Sequence, residues 1–137
     1  MESTTYDPRP PLAQPKPVTW AGWTFTVLAT LPFLLGTVMD LSRNAMALEG
    51  LKKYGYPESI AVPMGVVTLV TAILYLVPRT ALIGAALMTA YFGGAVATHV
   101  RAGEPFFIPM LVGLFPWLGL LLRDARYRAL FAPRATV

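Results

Sequence analysis

Four ionisable side chains stand at the ends of apolar runs, a position in which ionisable groups often serve a function. They are Asp40, His99, Arg101 and Glu104. A carboxylate facing the His99 imidazole could move a proton or bind the polar head of a lipophilic molecule. A structural explanation is also open for each, because Asp40 can pair with Arg43 one turn later and the last two are ordinary interfacial charges. Both explanations stay open for Asp40 and His99, and the structural one is favoured for Arg101 and Glu104.

The composition removes most other chemistry. The 137 residues include no cysteine, which excludes disulfides, thiolate nucleophiles and cysteine-held iron–sulfur clusters. His99 is the single histidine, and no carboxylate lies at tight helical spacing to it, so we expect no metal site. The formal net charge is +4, but the basic residues stand singly at the ends of apolar runs, and we therefore predict no nucleic-acid binding. No catalytic residue can be assigned, and no cofactor motif is present.

The hydropathy of the chain predicts the helices that position these side chains. Hydrophobic residues make up 55% of the chain and charged residues 13%, more apolar surface than a soluble domain of this length can bury. Four apolar runs, at residues 20–41, 59–77, 80–100 and 106–122, approach the roughly 20 residues that a helical span needs. We predict an all-α fold, an integral membrane four-helix bundle over residues 19–131. A Pro-rich disordered tail at residues 1–18 and a C-terminal tail at 132–137 flank it.

An amphipathic connector is predicted between spans 1 and 2. Charged and apolar residues alternate at helix-like spacing over residues 42–56, a pattern typical of a helix in the membrane interface. Tyr54 and Tyr56 are interpreted as anchors at the level of the headgroups, and Gly55 as a helix stop. Four spans place the end of span 1, the end of span 3 and the start of span 4 on one side. Asp40, His99, Arg101 and Glu104 therefore share one mouth of the bundle, which we call the polar rim.

The basic residues predict the orientation. Seven of them, Arg9, Lys16, Arg79, Arg123, Arg126, Arg128 and Arg134, lie on the side of the termini. Four of them, Arg43, Lys52, Lys53 and Arg101, lie on the side of the polar rim. By the positive-inside rule both termini are expected in the cytoplasm.

Small residues recur through span 3. They are Ala81, Ala85, Thr89, Gly93 and Ala97 at every fourth position, with Gly94 on the adjacent row. Such spacing lets two helix backbones approach closely where lipid provides no hydrophobic drive. We predict that span 3 is the packed centre of the bundle, with a dimer face as the less favoured alternative.

Several motifs resemble the DoxX-like family. They are residues 51–57, Leu-Val-Pro-Arg-Thr at 76–80, Tyr-Phe-Gly-Gly-Ala-Val-Ala-Thr-His-Val-Arg at 91–101, Gly-Glu-Pro-Phe-Phe at 103–107, Trp117 and Leu-Arg-Asp at 122–124. The resemblance covers about residues 31–130 and implies a four-span bundle, which we expect in a bacterial inner (plasma) membrane. Family members usually carry a lysine where Asp40 stands and a glutamate where Thr68 stands. The family name comes from a subunit associated with thiosulfate:quinone oxidoreduction, so a quinone or another lipophile is a conceivable ligand.

Two functions remain in competition. The favoured one is a non-enzymatic accessory or lipophile-binding subunit that contacts the lipid bilayer and either a protein partner or further copies of itself. The alternative is an enzyme: a membrane subunit of a quinone-linked oxidoreductase, or an acid/base catalyst on a lipophilic substrate that uses Asp40 and His99. Convergence of those two side chains on a cavity of ligand size would favour the enzyme, and a filled core would favour the accessory role.

Overall fold

The computed structural model describes residues 15–131, and that part of the chain is helical without strands. The predicted C-terminal tail and nearly all of the Pro-rich tail lie outside the described residues. Seven helices are present between residues 15 and 131: α1 Lys16–Leu41, α2 Ala45–Lys53, α3 Ala61–Leu76, α4 Ala81–Ala102, α5 Phe107–Val112, α6 Phe115–Arg123 and α7 Ala125–Phe131. A 3₁₀ turn, Glu58–Ile60, leads into α3.

Three helical segments are long and apolar enough to cross a membrane: Lys16–Leu41, Glu58–Leu76 and Ala81–Ala102. The shorter apolar segment Phe107–Arg123 completes the bundle. The predicted all-α membrane bundle is therefore confirmed, and α2 is the helix of the predicted connector. The first helix begins at Lys16, four residues before the predicted span. Pro17 lies in its first turn, where backbone N–H groups have no partner within the helix, so the missing N–H of proline costs nothing there.

The fourth apolar run is not one continuous helix. It divides into α5 and α6, with a turn at Gly113 and Leu114. Pro116 lies in the first turn of α6, and its ring would clash with the carbonyl of Val112, four residues earlier, in an uninterrupted helix. α5 ends at Val112 for this reason, and the single span predicted over residues 106–122 is corrected to two short helices.

The helices form an antiparallel bundle with α1 and α4 on one diagonal. α1 packs against α3 and α6, and α4 packs against α3, α5 and α6. Phe33 of α1 meets two aromatic rings of α4 across the diagonal, Tyr91 at 4.9 Å and Phe92 at 5.8 Å between ring centroids. The bundle thus has two different ends, the polar rim and the end that carries the termini.

The end that carries the termini, which we call the closed end, is held by glycines in backbone contact. A Cβ on Gly22 would lie 2.8 Å from the carbonyl carbon of Leu122, and a Cβ on Gly84 would lie 2.7 Å from the Cβ of Tyr75. A Cβ on Gly119 would lie 2.7 Å from the Tyr75 hydroxyl. Tyr75 itself has no exposed surface and donates a hydrogen bond to the Pro116 carbonyl at 2.9 Å.

Arg123 completes the closed end. Its guanidinium donates to the backbone carbonyl of Tyr75 at 2.9 Å and lies over the rings of Tyr75 and Trp23, 4.8 and 5.3 Å from their centroids. The Tyr75 carbonyl belongs to the last turn of α3, where a cation is favoured by the helix dipole. These contacts fix the Arg123 side chain and connect the end of α6 to the end of α3.

The close contacts of α4 differ from the sequence prediction. Of the six small residues predicted to pack, Ala81 and Ala85 are buried, whereas Thr89, Gly93, Gly94 and Ala97 are exposed. A Cβ on Gly93 or Gly94 would meet nothing within 4 Å. Small residues permit close approach but do not enforce it, and the three aromatic rings on the diagonal keep α1 and α4 apart at this level. The packed centre includes only the first half of α4.

We expect Gly84→Ala to destabilise the protein by about 1–3 kcal/mol, because the new methyl group must displace the backbone of α3. The matched variant Gly93→Ala has open space around the new group and removes a flexible glycine from a helix, so it should cost nothing. Denaturant unfolding in detergent measures both. Equal losses in the two variants would contradict this account of the packing.

A candidate ligand cavity at the polar rim

Three helices end at the polar rim with a residue in the left-handed conformation. Arg43 after α1, Gly55 after α2 and Gly103 after α4 have φ of 51°, 78° and 70°, and they are the positive-φ residues between positions 15 and 131. Each reverses the chain so that the next amide donates to a carbonyl of the last helical turn. At α4 this bond runs from Glu104 to the carbonyl of His99 at 2.9 Å. The three reversals bring the rim residues together.

The connector helix α2 lies across the mouth of the bundle. Asn44 begins it, with a side-chain oxygen that accepts from the Met46 amide at 2.9 Å, and Leu51 is buried with 7% of its surface exposed. The residues at the end of α2 then contact the C-terminal end of α4 and the turn that follows it. The hydroxyl of Tyr54 donates to a Glu104 carboxylate oxygen at 2.7 Å.

Two cations strengthen this junction, which we call the clamp. Lys53 lies 2.6 Å from the other Glu104 oxygen, and Arg101 donates to the Tyr54 carbonyl at 2.7 Å. The hydrogen bond from Lys53, followed by that from Tyr54, holds the pKa of Glu104 below its usual range. The same carboxylate raises the pKa of Lys53 and of Tyr54, in both cases first through the hydrogen bond. The clamp therefore consists of an ionised carboxylate, a charged amine, a neutral phenol and the guanidinium of Arg101.

His99 is oriented by its own helix. Its Nδ1 lies 2.8 Å from the Ala95 carbonyl, and because a carbonyl only accepts, Nδ1 carries the proton. Nε2 lies 3.5 Å from the Tyr54 hydroxyl, whose proton is directed to Glu104. The second ring nitrogen of a neutral imidazole is thus left with a free lone pair.

A cavity of about 460 Å³ lies beneath α2, between α1, α3 and α4. This volume is in the range of small-molecule sites. Its apolar lining consists of Ala47, Gly50, Leu51, Met64, Ala90, Tyr91, Gly94 and Ala95. Its polar lining consists of Asp40, Tyr54, Tyr56, Thr98 and His99. The small residues in the second half of α4 therefore leave space at this level instead of closing a helix contact.

Asp40 and His99 both line the cavity, although they belong to diagonal helices. No hydrogen bond or ion pair joins them in the part of the chain that the structure describes. Arg101 and Glu104 do not line the cavity, because the clamp engages them. Arg43 does not pair with Asp40; its guanidinium lies 3.5 Å from a carboxylate oxygen of Glu58. The predicted rim thus divides into a cavity pair and a clamp pair.

Sequence reasoning missed the two tyrosines of the connector. Tyr54 and Tyr56 were interpreted as headgroup anchors, yet both line the cavity, and Tyr56 bonds the Thr98 hydroxyl at 2.9 Å. The topology of the chain could have indicated that these tyrosines lie at the mouth of the bundle. A connector that leaves span 1 and returns to the start of span 2 stays at one mouth, and Gly55 between the tyrosines turns the chain there.

The fold and the cavity define a small helical membrane protein with one tightly packed end and one hollow end. A family model described as the DoxX-like family matches residues 24–121, and the chain belongs to that family. The resemblance found in the sequence is thereby confirmed. Comparisons with curated proteins and with solved structures find no match.

We expect Glu104→Gln to flatten the acid limb of the stability profile. A depressed carboxyl pKa contributes stability that is complete above the unfolded value of about 4.3 and is lost as pH falls through the folded value. The clamp should therefore weaken below about pH 4 in the wild type and show no such step in the variant. Thermal unfolding in detergent across that interval measures the effect. Glu49→Gln on the exposed face of α2 is the control, and an unchanged acid limb in Glu104→Gln would refute the assignment.

Proposed function

We propose that this small membrane protein binds a lipophilic molecule in the rim cavity and acts in the bilayer as an accessory or carrier subunit. The observation that supports the proposal is the cavity of about 460 Å³, apolar along its walls and polar at the rim. A quinone is one compound of this general kind. A protein partner or a second copy of the chain would receive the molecule.

The shape of the lining supports an elongated amphiphile. Along α4 the lining runs from Ala90 to His99, about 13 Å at the helical rise of 1.5 Å per residue. The inner part is lined by Ala90 and Tyr91, and the outer part by His99 and Tyr54. An apolar body would lie toward the centre of the bundle, and a polar head would lie at the rim.

Acid/base chemistry on the bound molecule is the second candidate. It is favoured by the cavity of ligand size that Asp40 and His99 both line, the arrangement expected of an acid/base enzyme. It ranks second because no hydrogen bond or ion pair joins the two side chains within residues 15–131, whereas binding requires only the cavity. A carboxylate and an imidazole with a free Nε2 would then act on opposite sides of a bound molecule. In this case His99→Gln would abolish turnover of the bound lipophile and leave its binding intact.

Filling the cavity tests the binding function. Gly94 lines the cavity and has open space where a Cβ would stand, so Gly94→Leu should place a side chain in the cavity without displacing the backbone. The neighbouring Gly93 has equally open space but does not line the cavity, and Gly93→Leu is the matched control. The probes are 1-naphthylmethanol and 1-naphthylmethylamine, measured by equilibrium dialysis against nanodiscs with and without protein.

We expect saturable binding of at least one probe to the wild type and to Gly93→Leu, and a loss of about tenfold or more in Gly94→Leu because the apolar volume is occupied. Both variants should unfold at the wild-type temperature. If neither probe binds the wild type above the lipid background, or if both variants bind like the wild type, the cavity is not a ligand site.

We further infer insertion in a bacterial inner membrane with the closed end in the cytoplasm. The support is the excess of basic residues on that side, together with the pairing of Lys52 and Lys53 by Glu58 and Glu104 on the other. Because the chain has no cysteine, a single Ser42→Cys or Ala129→Cys can be labelled without background. A membrane-impermeant maleimide should label Ser42→Cys on intact cells and Ala129→Cys only after permeabilisation. The reverse pattern would invert the topology.

A further inference from the structure

The hydroxyl protons at the outer part of the cavity are already used within the protein. Tyr54 donates its proton to Glu104 at 2.7 Å. Thr98 donates to the Gly94 carbonyl at 2.9 Å, so in the 2.9 Å bond between Tyr56 and Thr98 the tyrosine must be the donor. These three hydroxyl groups therefore present lone pairs to the cavity.

The remaining polar groups also accept. Nδ1 of His99 donates to a backbone carbonyl, so an imidazole with a single proton presents Nε2 as an acceptor. An ionised carboxylate at Asp40 has acceptors alone. Tyr91 is the one lining hydroxyl with no hydrogen bond to the residues between positions 15 and 131, and a hydroxyl can accept as well as donate. A molecule that satisfies this wall must bring hydrogen-bond donors.

The ion pairs at the rim indicate that the donor of the bound molecule should carry a positive charge. Arg43 and Lys52 contact Glu58, Lys53 contacts Glu104, and Arg101 donates to a backbone carbonyl. Within the described chain no ion pair includes Asp40, although it lines the cavity. Asp40 is thus a partly buried cavity carboxylate for which the rim supplies no ion-pair partner within the described chain, and a cationic group of a ligand can take that place.

We propose that the cavity selects lipophilic amines, with a protonated amine bound by Asp40 and an apolar body held between α1, α2 and α4. This inference rests on the proposed function and names its ligand class. An ammonium group brings several donors and one positive charge. Among the lining tyrosines, Tyr54 and Tyr56 already face Lys53 and Arg101, whereas the ring of Tyr91 faces no cation within the described chain and can attract one. A carboxylate or phosphate head would face the like charge of Asp40 and a wall of acceptors.

Three probes with one apolar body test the selection: 1-naphthylmethylamine, 1-naphthylmethanol and 1-naphthoate. Binding is measured by equilibrium dialysis at about pH 7.5, where the first is a cation and the last an anion. The protein is held in phosphatidylcholine nanodiscs, whose headgroups carry no net charge, and protein-free nanodiscs give the lipid background. The quantity of interest is the ratio of the amine affinity to the alcohol affinity.

We expect the wild type to bind the amine about tenfold or more tightly than the alcohol, and to bind the naphthoate least, since a hydrogen bond between charged groups contributes more than one between neutral groups. Asp40→Asn should bring the ratio of amine to alcohol close to one while the alcohol affinity stays unchanged. Glu49→Gln removes an exposed carboxylate of α2 that does not line the cavity, and it should keep the wild-type ratio.

The wild-type ratio decides the matter even if a variant folds poorly. Alcohol or naphthoate binding as tightly as the amine would overturn the selection for amines and leave the cavity a neutral lipophile site. An amine preference that persists in Asp40→Asn would overturn the role of this carboxylate. Absence of binding by all three probes would overturn the proposed function together with this inference.

Discussion

The fold depends on the backbone contacts around Tyr75. This side chain is fully buried among α1, α3, α4 and α6, and Gly84 and Gly119 lie so close to it that neither position accepts a side chain without movement. Lipid offers helices no hydrophobic reason to associate, so dense packing and satisfied polar groups must supply the attraction. The Tyr75 hydroxyl, bonded to the Pro116 carbonyl, provides both at one place. The helices are therefore fixed at the closed end and need other means of association at the rim.

At the rim, polar contacts take over from close packing. The connector is joined to α4 through Tyr54, Lys53 and Arg101, and it spans the mouth without filling it. Ala90, Gly94 and Ala95 are too small to close the gap beneath it. The cavity, which is open on one side, lies beneath α2 where the close packing of the helices ends.

The sequence predicts the elements well and their contacts less well. Apolar run lengths located the four segments, and the alternation of charges located α2, because both depend on local composition. The apolar run at residues 106–122 was predicted as one span, although Pro116 ends the preceding helix at Val112. The partners of small residues could not be predicted: Gly84 and Gly93 look alike in the sequence, and they differ only in whether another backbone lies opposite. The shared depth of Asp40 and His99 could be predicted from topology, whereas the position of Tyr54 in the cavity lining depends on the turn at Gly55.

Position 68 explains how this chain dispenses with a second charge near the cavity. Where the family resemblance implies a lysine and a glutamate, this chain has Asp40 and Thr68. The Thr68 hydroxyl donates to the Met64 carbonyl at 3.0 Å and lies 2.7 Å from the hydroxyl of Thr37, so this buried position is satisfied without an ion. α3 carries no basic residue, so Asp40 receives no cation from that helix. Under the proposed amine selectivity, the aspartate attracts the ammonium group, whereas the lysine that the resemblance implies at position 40 would repel it.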